Sequence, residues 1–230
     1  MDSTLFKGAS LAVKYTALAL AVFAVAQAHD VITTPITWSR EISRIVYNKC
    51  ASCHRPGGSA FSLITYKEAR PWVVAIREET LRRTMPPWGA VKGFGDFRND
   101  QALTPEEIEL IVNWSEGGVP EGQDKDLPKL PKFPAPPKTN GAGQIAVTGT
   151  LKLTKAFRLD GLMPRKLPAG ASMQITAELP DGSIEPLLWL KDYKDAFAHP
   201  FLLRKPLALP AGTVIRGVPP DASVSLLPVR

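Results

Sequence analysis

Cys50, Cys53 and His54 have the clearest chemical role in the chain, because together they form a C-x-x-C-H sequence. This arrangement is the signature of covalent haem attachment. Residues at positions i and i+3 share one face of a helical turn, so two thiols at this spacing can reach the two vinyl groups on one edge of a porphyrin. The histidine that follows can then bind the iron. The motif predicts one covalent haem c, with Cys50 and Cys53 as thioether attachments and His54 as the proximal iron ligand.

Three other roles for a Cys-x-x-Cys pair are weaker. A thioredoxin-like redox pair belongs to a βαβ pattern, and none surrounds this one. A structural zinc site needs four ligands, but these are the only two cysteines, and His29 and His199 are the only other histidines. A disulfide between these two cysteines would close a loop too small to stabilise much. Haem attachment fits the residues best.

Met85 is the candidate for the second axial iron ligand. It follows His54 by 31 residues in the sequence Thr-Met-Pro-Pro-Trp, where two prolines restrict the backbone after it. A methionine can also simply fill a core. A His/Met axial pair raises the reduction potential and closes the sixth coordination position, which favours electron transfer over oxygen chemistry.

Aromatic and basic side chains could complete such a site. Trp72 and Trp88 are candidate walls of a haem pocket, with Phe61, Phe94 and Phe97, although ordinary core packing would also explain them. Several basic residues could pair with haem propionates or form a docking face for an acidic redox partner, while the alternative is a solvated surface. These residues are Arg77, Arg82, Arg83, Lys92 and Arg98.

Residues 31–120 are predicted to be helical and to form the haem domain. Three helix starts can be read from the sequence. A Thr or Ser cap stands at 37 or 39, a capping box at 65–68, and a capping box with a proline in the first turn at 104–107.

Residues 37–118 resemble a class I-type mono-haem bacterial cytochrome c domain, through the C-x-x-C-H motif and the later methionine. The resemblance implies an all-α domain with an N-terminal helix, the motif, a loop, a methionine ligand and a C-terminal helix packed on the first. It also implies that a proline carbonyl soon after the motif accepts a hydrogen bond from the proximal histidine, and Pro56 is the candidate. Such a bond raises the basicity of a ligating histidine.

The N-terminus predicts export. Lys7 and Lys14 precede a short apolar run that ends in Ala-Gln-Ala at Ala28, which is the pattern of a secretory signal peptide over residues 1–28. The run is shorter than the ~20 residues of a spanning helix, and an uncleaved membrane anchor is the alternative. We expect a periplasmic or otherwise extracytoplasmic protein with no membrane span after cleavage.

The remaining chain divides into a linker and a β-rich module. The prolines and lysines of residues 121–143 predict an extended spacer. Residues 144–230 contain alternating apolar side chains, such as Met173 and Ile175, separated by turn signals, and they predict a small all-β sandwich. The expected fold class is therefore two domains, an all-α cytochrome c-like haem domain followed by this sandwich.

Residues 150–229 resemble the C-terminal β-sandwich of copper type II ascorbate-dependent monooxygenases. The resemblance is carried by Pro-Asp-Gly at 180–182, Leu-Leu-Trp-Leu at 187–190, Phe-Ala-His-Pro-Phe at 197–201 and Leu-Pro-Ala-Gly-Thr at 209–213. In that family, two histidines and a methionine of this domain bind the catalytic copper. Only His199 is kept here, which implies a shared fold without the copper chemistry and a role in docking.

Charge and motifs together indicate the kind of partner and the kind of function. The formal net charge of +6 and a pI of about 9.4 favour acidic partners, whereas the chain has no basic block or motif that would predict nucleic-acid binding. The sequence predicts an electron carrier, rather than an enzyme, that exchanges single electrons with redox partner proteins. Two alternatives stay open: a haem module through which electrons pass into a larger periplasmic oxidoreductase, and a haem-based ligand sensor.

Overall fold

The computed structural model describes residues 32–133 and 141–229 of the 230-residue chain. The predicted signal peptide lies outside the described residues, as do positions 134–140 of the predicted linker. Within the two described ranges, no helix combines the length and the apolar character needed to cross a lipid bilayer.

Three short helical segments occupy the first part of the described chain. Each begins after a threonine whose hydroxyl accepts a hydrogen bond from the backbone three residues later, at Thr37, Thr65 and Thr104, as the sequence predicted. At Thr65 and Thr104 a glutamate returns the bond and completes a capping box. The bounds are Trp38–Ile42, Ser43–Ile45 and Val46–Cys50 for the consecutive parts of α1, Tyr66–Ala69, Arg70–Trp72 and Val73–Leu81 for those of α2, and Pro105–Glu116 for α3, with 3-10 turns at Asp124–Asp126 and Asp195–Phe197.

Helices α1 and α3 pack against each other around two buried tryptophans. The rings of Trp38 and Trp114 lie 6.0 Å apart, and Ile42 and Ile111 belong to the same apolar cluster. All four side chains are almost completely buried, and burying one large apolar side chain contributes about 1.5–3 kcal/mol. This packing fixes α1, the helix that carries Cys50 at its end.

Residues 145–228 form two four-stranded antiparallel sheets. The strand order is β1-β8-β3-β6 in the first sheet and β2-β7-β4-β5 in the second, so β6 and β5 are edge strands. The strands are β1 Ile145–Val147, β2 Leu151–Lys152, β3 Phe157–Lys166, β4 Ala171–Glu178, β5 Ile184–Tyr193, β6 Phe201–Leu209, β7 Val214–Arg216 and β8 Ser223–Pro228.

The two sheets share one apolar core. Along β4 the buried residues are Met173, Ile175 and Ala177, with more exposed residues between them, because successive side chains of a strand point to opposite faces. These three residues cluster with Leu159 of β3 and Leu226 of β8. The sheets therefore pack face to face.

The prediction of an all-α haem domain over residues 31–120 is wrong. The range contains only three short helices, and the described fold is dominated by the two antiparallel sheets. Residues 82–104 form no helix, because two consecutive prolines lack the amide hydrogens that a helix needs and three glycines have positive φ angles. Residues 88–97 of this stretch pack on the sheets instead.

Residues 88–101, which we call the strap, connect the helical part to the edges of both sheets. The backbone of Ala90 pairs with β5, and that of Phe97 pairs with β6. Trp88 and Phe97 are 4% and 5% exposed, and both belong to the apolar core of the sheets rather than to that of the helices. The strap therefore bridges the two edge strands and covers the core between them.

Ion pairs hold the strap in place at its second half. Arg98 forms a two-pronged pair with Asp160 of β3, with nitrogen–oxygen distances of 2.9 and 2.8 Å. Arg204 of β6 donates from Nε to both carboxylate oxygens of Asp96, at 3.0 and 3.1 Å. The parallel bonds between Arg98 and Asp160 fix the relative orientation of the two groups as well as their distance.

Phe97→Ala should lower the free energy of unfolding by about 3–5 kcal/mol, the usual cost of removing a buried aromatic side chain. Urea unfolding followed by far-ultraviolet circular dichroism measures the change. Phe197→Ala is the matched control, since Phe197 is 38% exposed, and it should cost less than about 1 kcal/mol. Similar small losses for both variants would contradict the assignment of the strap to the core of the sheets.

Candidate haem-attachment site

Cys50, Cys53 and His54 lie on one turn at the end of α1. The backbone amides of Cys53 and His54 both donate to the carbonyl of Cys50, at 3.1 and 2.9 Å. Both cysteines are half-buried free thiols. The structure thus brings together the two thiols and the imidazole that the motif predicted, on a single rigid turn.

The chain folds back tightly after this turn. The amide of Ala60 donates to the carbonyl of Cys53 at 3.2 Å, and the amide of Leu63 donates to the carbonyl of His54 at 3.2 Å. Gly58 makes this return possible, because a Cβ atom added there would lie only 2.1 Å from the carbonyl oxygen of Cys53. The loop therefore holds the backbone of His54 from both sides.

The imidazole of His54 is oriented by a backbone carbonyl. Its Nδ1 lies 3.0 Å from the carbonyl oxygen of Phe61, so Nδ1 carries the proton and donates it to that oxygen. The lone pair is then on Nε2, the atom that would bind a metal. The prediction that Pro56 supplies this carbonyl is wrong, because the chain turns after Pro56 and returns alongside His54 only at residues 60–61.

An exposed aromatic pair lies beside His54. The ring of Phe61 meets the imidazole edge-on at a centroid distance of 4.9 Å, and it stacks on Trp72 at 4.4 Å. Phe61 and Trp72 are 49% and 45% exposed, which is unusual for two large apolar rings in contact. Trp72 is thus linked to His54 through the ring of Phe61, and its role as a pocket wall stays a prediction.

The surroundings of the Cys50 thiol disfavour its reactive thiolate form. It packs against the apolar cluster of α1 and α3, and burial raises its pKa to about 12, with the charges of Glu107 and Cys53 adding to the rise and Lys49 opposing it. Reactive redox cysteines have a lowered pKa instead. This environment gives no support to a thioredoxin-like thiolate at Cys50.

Met85 is held at the end of α2. The carbonyl of Glu79 accepts hydrogen bonds from the amides of Thr84 and Met85, at 3.0 and 3.2 Å. The half-buried Met85 lines a cavity of about 560 Å³ together with Leu103 and Ile108, which belong to the same apolar cluster as Cys50. The cavity therefore borders the apolar cluster against which Cys50 packs, although none of residues 50–54, which we call the attachment turn, belongs to its lining.

The structure does not place all of the candidate residues together. Trp88 stacks on His199 at a ring distance of 5.0 Å and meets Phe201 edge-on at 4.9 Å, so it packs in the core of the sheets while also lining the cavity with Met85. Trp72 does not line the cavity and instead stacks on Phe61, whose ring meets that of His54. Within the described part of the chain, His54 and Met85 are not in contact.

His199 is a packed residue of the sheet region. Its Nδ1 lies 2.7 Å from the carbonyl oxygen of Phe197, while its Nε2 is buried without a hydrogen-bond partner in the described chain. Burial lowers the pKa of the imidazole, and the nearby backbone of Phe197 and Trp88 only partly opposes this. Across residues 32–133 and 141–229, no three His, Cys, Asp or Glu side chains cluster as metal ligands would.

Two features of the site could not be read from residue types. The carbonyl of Phe61 belongs to the backbone, and only the Gly-Gly pair at 57–58 hints that the chain returns there. The cavity wall formed by residues 191–194 is distant in sequence from both candidate iron ligands, His54 and Met85.

No protein-family model, curated protein or solved structure is significantly similar to the chain. We therefore infer function from the residues of the site.

Gly58→Ala should destabilise the attachment loop, because the new Cβ would overlap the carbonyl oxygen of Cys53. Gly57→Ala is a strict control in the same loop: its φ of +70° carries a strain of about 1–2 kcal/mol, but no atom lies within 4 Å of the added Cβ. Thermal unfolding should show the larger loss for Gly58→Ala. Equal losses would mean that the close approach to Cys53 is not what requires the glycine.

His199 should make the protein less stable in mild acid. Its pKa in the folded state lies below the ordinary value of 6.5, so the unfolded chain takes up the proton first and stability falls as the pH drops below about 6.5 towards the folded pKa. Unfolding free energies measured in urea between pH 7.5 and 5 should fall more steeply for the native protein than for His199→Gln. Parallel pH profiles would show that His199 does not contribute.

Proposed function

We propose that the protein is an exported mono-haem c-type cytochrome that transfers single electrons. Cys50 and Cys53 carry the haem c, His54 is its proximal ligand and Met85 its distal ligand. The observation that carries the proposal is the hydrogen bond from Nδ1 of His54 to the carbonyl of Phe61, on a turn that also presents two free thiols. Export is supported by the signal-peptide pattern of residues 1–28.

The hydrogen bond at Nδ1 matters because it prepares the imidazole for a metal. It fixes the tautomer with a free Nε2, restricts rotation of the ring, and raises the basicity of the ligating nitrogen. A fixed tautomer, a fixed ring orientation and a raised basicity of Nε2 are together the properties of a metal-binding histidine. The Phe61–Trp72 pair beside it offers the flat apolar surface on which a porphyrin packs, and its exposure is then explained by the cofactor that covers it.

Met85 is suited to its role by its backbone. Glu79 holds the amides of Thr84 and Met85, and two prolines follow, so the thioether is presented from a segment that has lost most of its freedom. When bound, a haem with His/Met ligation supplies a reversible one-electron change at iron, with a raised potential. The residues of the chain attach it, orient it and limit the access of water.

The proposal concerns haem attachment and does not require an all-α fold. Covalent attachment needs the motif on a helical turn and an apolar surface for the ring. A second axial ligand must also be within reach. Trp88 and Phe97 connect the segment that follows Met85 to the apolar core of the sheets.

The charge of the protein favours an acidic redox partner. Among the five basic residues considered for docking, Arg98 is bound to Asp160, Arg77 to Glu116 and Arg82 to Glu79. Arg83 and Lys92 form no ion pair with any described residue. A face that contains unpaired cations next to Met85 would attract an acidic donor or acceptor and speed its association.

Expression with an intact cytochrome maturation system tests the attachment. The native chain should stain for haem on a denaturing gel and contain one iron per chain, whereas Cys50→Ala/Cys53→Ala should not stain. Ser52→Ala, which changes a residue between the two cysteines without removing a thiol, is the control and should stain normally. A colourless, iron-free native protein from a host that matures a reference cytochrome would refute the proposal.

Met85→Ala tests the distal ligand. The ferric native protein should show the weak far-red charge-transfer band of methionine–haem ligation, and the variant should lose the band and have a lower reduction potential. Met173→Leu, at a buried methionine of β4, is the control and should keep both. A native spectrum without the band would favour the alternative of a ligand sensor with an open sixth position.

A further inference from the structure

The cavity that contains Met85 lies between the helical part and the second sheet, and we call it the junction cavity. Its volume of about 560 Å³ falls in the range of sites that bind cofactors and other small molecules. One wall comes from the end of α2, the start of the strap and the start of α3. The other is formed by residues 191–194 at the end of β5.

The junction cavity is apolar inside and strongly basic around its lining. Met85, Trp88, Leu103 and Ile108 supply apolar surface. The charged residues of the lining are Arg82, Arg83, Lys92, Lys191, Lys194 and a single acid, Asp192. Glu79 pairs with Arg82 from outside the lining, while neither Lys191 nor Lys194 forms an ion pair with a described residue. Such a site fits an amphipathic ligand that carries negative charge at one end.

The end of β5, which forms this wall, departs from regular strand geometry. The pairing of β4 with β5 shifts register between Ala171 and Met173, and Asp192 has a φ of +49°, a strained angle for a residue other than glycine. A bulge of this kind turns consecutive side chains away from the regular alternation, and bulges are common beside functional sites. The backbone amide of Lys191 is meanwhile held by the carbonyl of Gly89 in the strap, at 2.9 Å.

Tyr193 supplies the junction cavity with a polar group that no described residue uses. Its side chain is 3% exposed and lines the junction cavity, yet its hydroxyl has no hydrogen-bond partner in the described residues. Buried polar groups in folded proteins almost always have a partner, so this hydroxyl is available to a polar group that enters the cavity. Burial and the charge of Asp195 raise the pKa of Tyr193 to about 12, and the hydroxyl is therefore a hydrogen-bond donor.

We propose that the end of β5 binds the propionates of the haem, with Lys191 and Lys194 as cationic partners and Tyr193 as a hydrogen-bond donor. This inference rests on the proposed function, because it assumes a haem attached at Cys50. Leu103 and Ile108 connect the two places, since they pack in the cluster of Cys50 and also line the junction cavity. The sheets are then part of the cofactor site and not only a docking module.

Propionate binding by β5 has a measurable electrostatic consequence. Positive charge close to a haem favours the reduced state, because reduction adds a negative charge to the centre. Removing two cations from the propionates should therefore lower the reduction potential. It should also change the hydrogen bonding of the carboxylates, to which the propionate bending bands in resonance Raman spectra respond.

The test uses the haem-loaded protein and Lys191→Ala/Lys194→Ala. We expect a lower reduction potential and shifted propionate bands, with the methionine charge-transfer band retained. Lys152→Ala/Lys155→Ala removes the same charge from exposed positions of the sheet region that do not line the junction cavity, and it should leave the bands unchanged and move the potential much less. Lys191→Arg/Lys194→Arg keeps the charge and should restore the potential.

Tyr193→Phe separates ligand binding from simple packing. If a propionate accepts a hydrogen bond from the hydroxyl, this variant shifts the propionate bands of the loaded protein. If the hydroxyl is merely unpaired, its removal leaves the bands unchanged and stabilises the fold slightly.

The outcomes distinguish this inference from the function on which it rests. Native-like potentials and Raman bands in Lys191→Ala/Lys194→Ala and in Tyr193→Phe, in proteins that stain for haem and keep the methionine band, would overturn propionate binding by β5 and leave the cytochrome proposal intact. Absence of covalent haem from the native protein would overturn both.

Discussion

The anchoring of the strap to both sheets is the constraint on which the rest of the molecule depends. At one end, Gly89 and Ala90 pair with β5, so the loop that begins at Met85 has a fixed exit. At the other end, the carbonyl of Asp100 accepts a hydrogen bond from Lys49, and Gln101 donates to the hydroxyl of Ser52 inside the motif. One segment thus connects the loop of Met85, the attachment turn and the sheets to one another.

The attachment turn is held mainly by local hydrogen bonds, but the orientation of the His54 ring depends on an atom outside the turn. Backbone hydrogen bonds hold Cys53 and His54 to Cys50, and these follow from the helical turn. The carbonyl of Phe61 is different, because it reaches Nδ1 of His54 only through the reversal of the chain at Gly58. A short loop therefore fixes the direction in which Nε2 points.

Local signals in the sequence were sufficient for some elements and not for others. The helix starts at Thr65 and Thr104 were predictable, because a capping box is complete within four residues. The strap was not predictable in this way. Trp88 and Phe97 pack against Phe201, about a hundred residues later, and no local pattern in residues 82–104 indicates that contact. The all-α expectation failed here, because a resemblance carried by the motif and a methionine contains no information on what covers the loop between them. Tyr193 and the lysines beside it were missed for the same reason.

The strap also determines where the molecule can be divided. A proline-rich stretch after residue 120 looks like a boundary at which the two parts could be separated, and a fragment ending there would keep the C-x-x-C-H motif and all three helices. It would also strip the covering from Trp88 and Phe97, two large aromatic side chains that are now almost completely buried. Such a fragment would expose apolar aromatic surface close to the candidate ligand Met85 and tend to self-associate, because the boundary in the sequence would separate side chains that share one core.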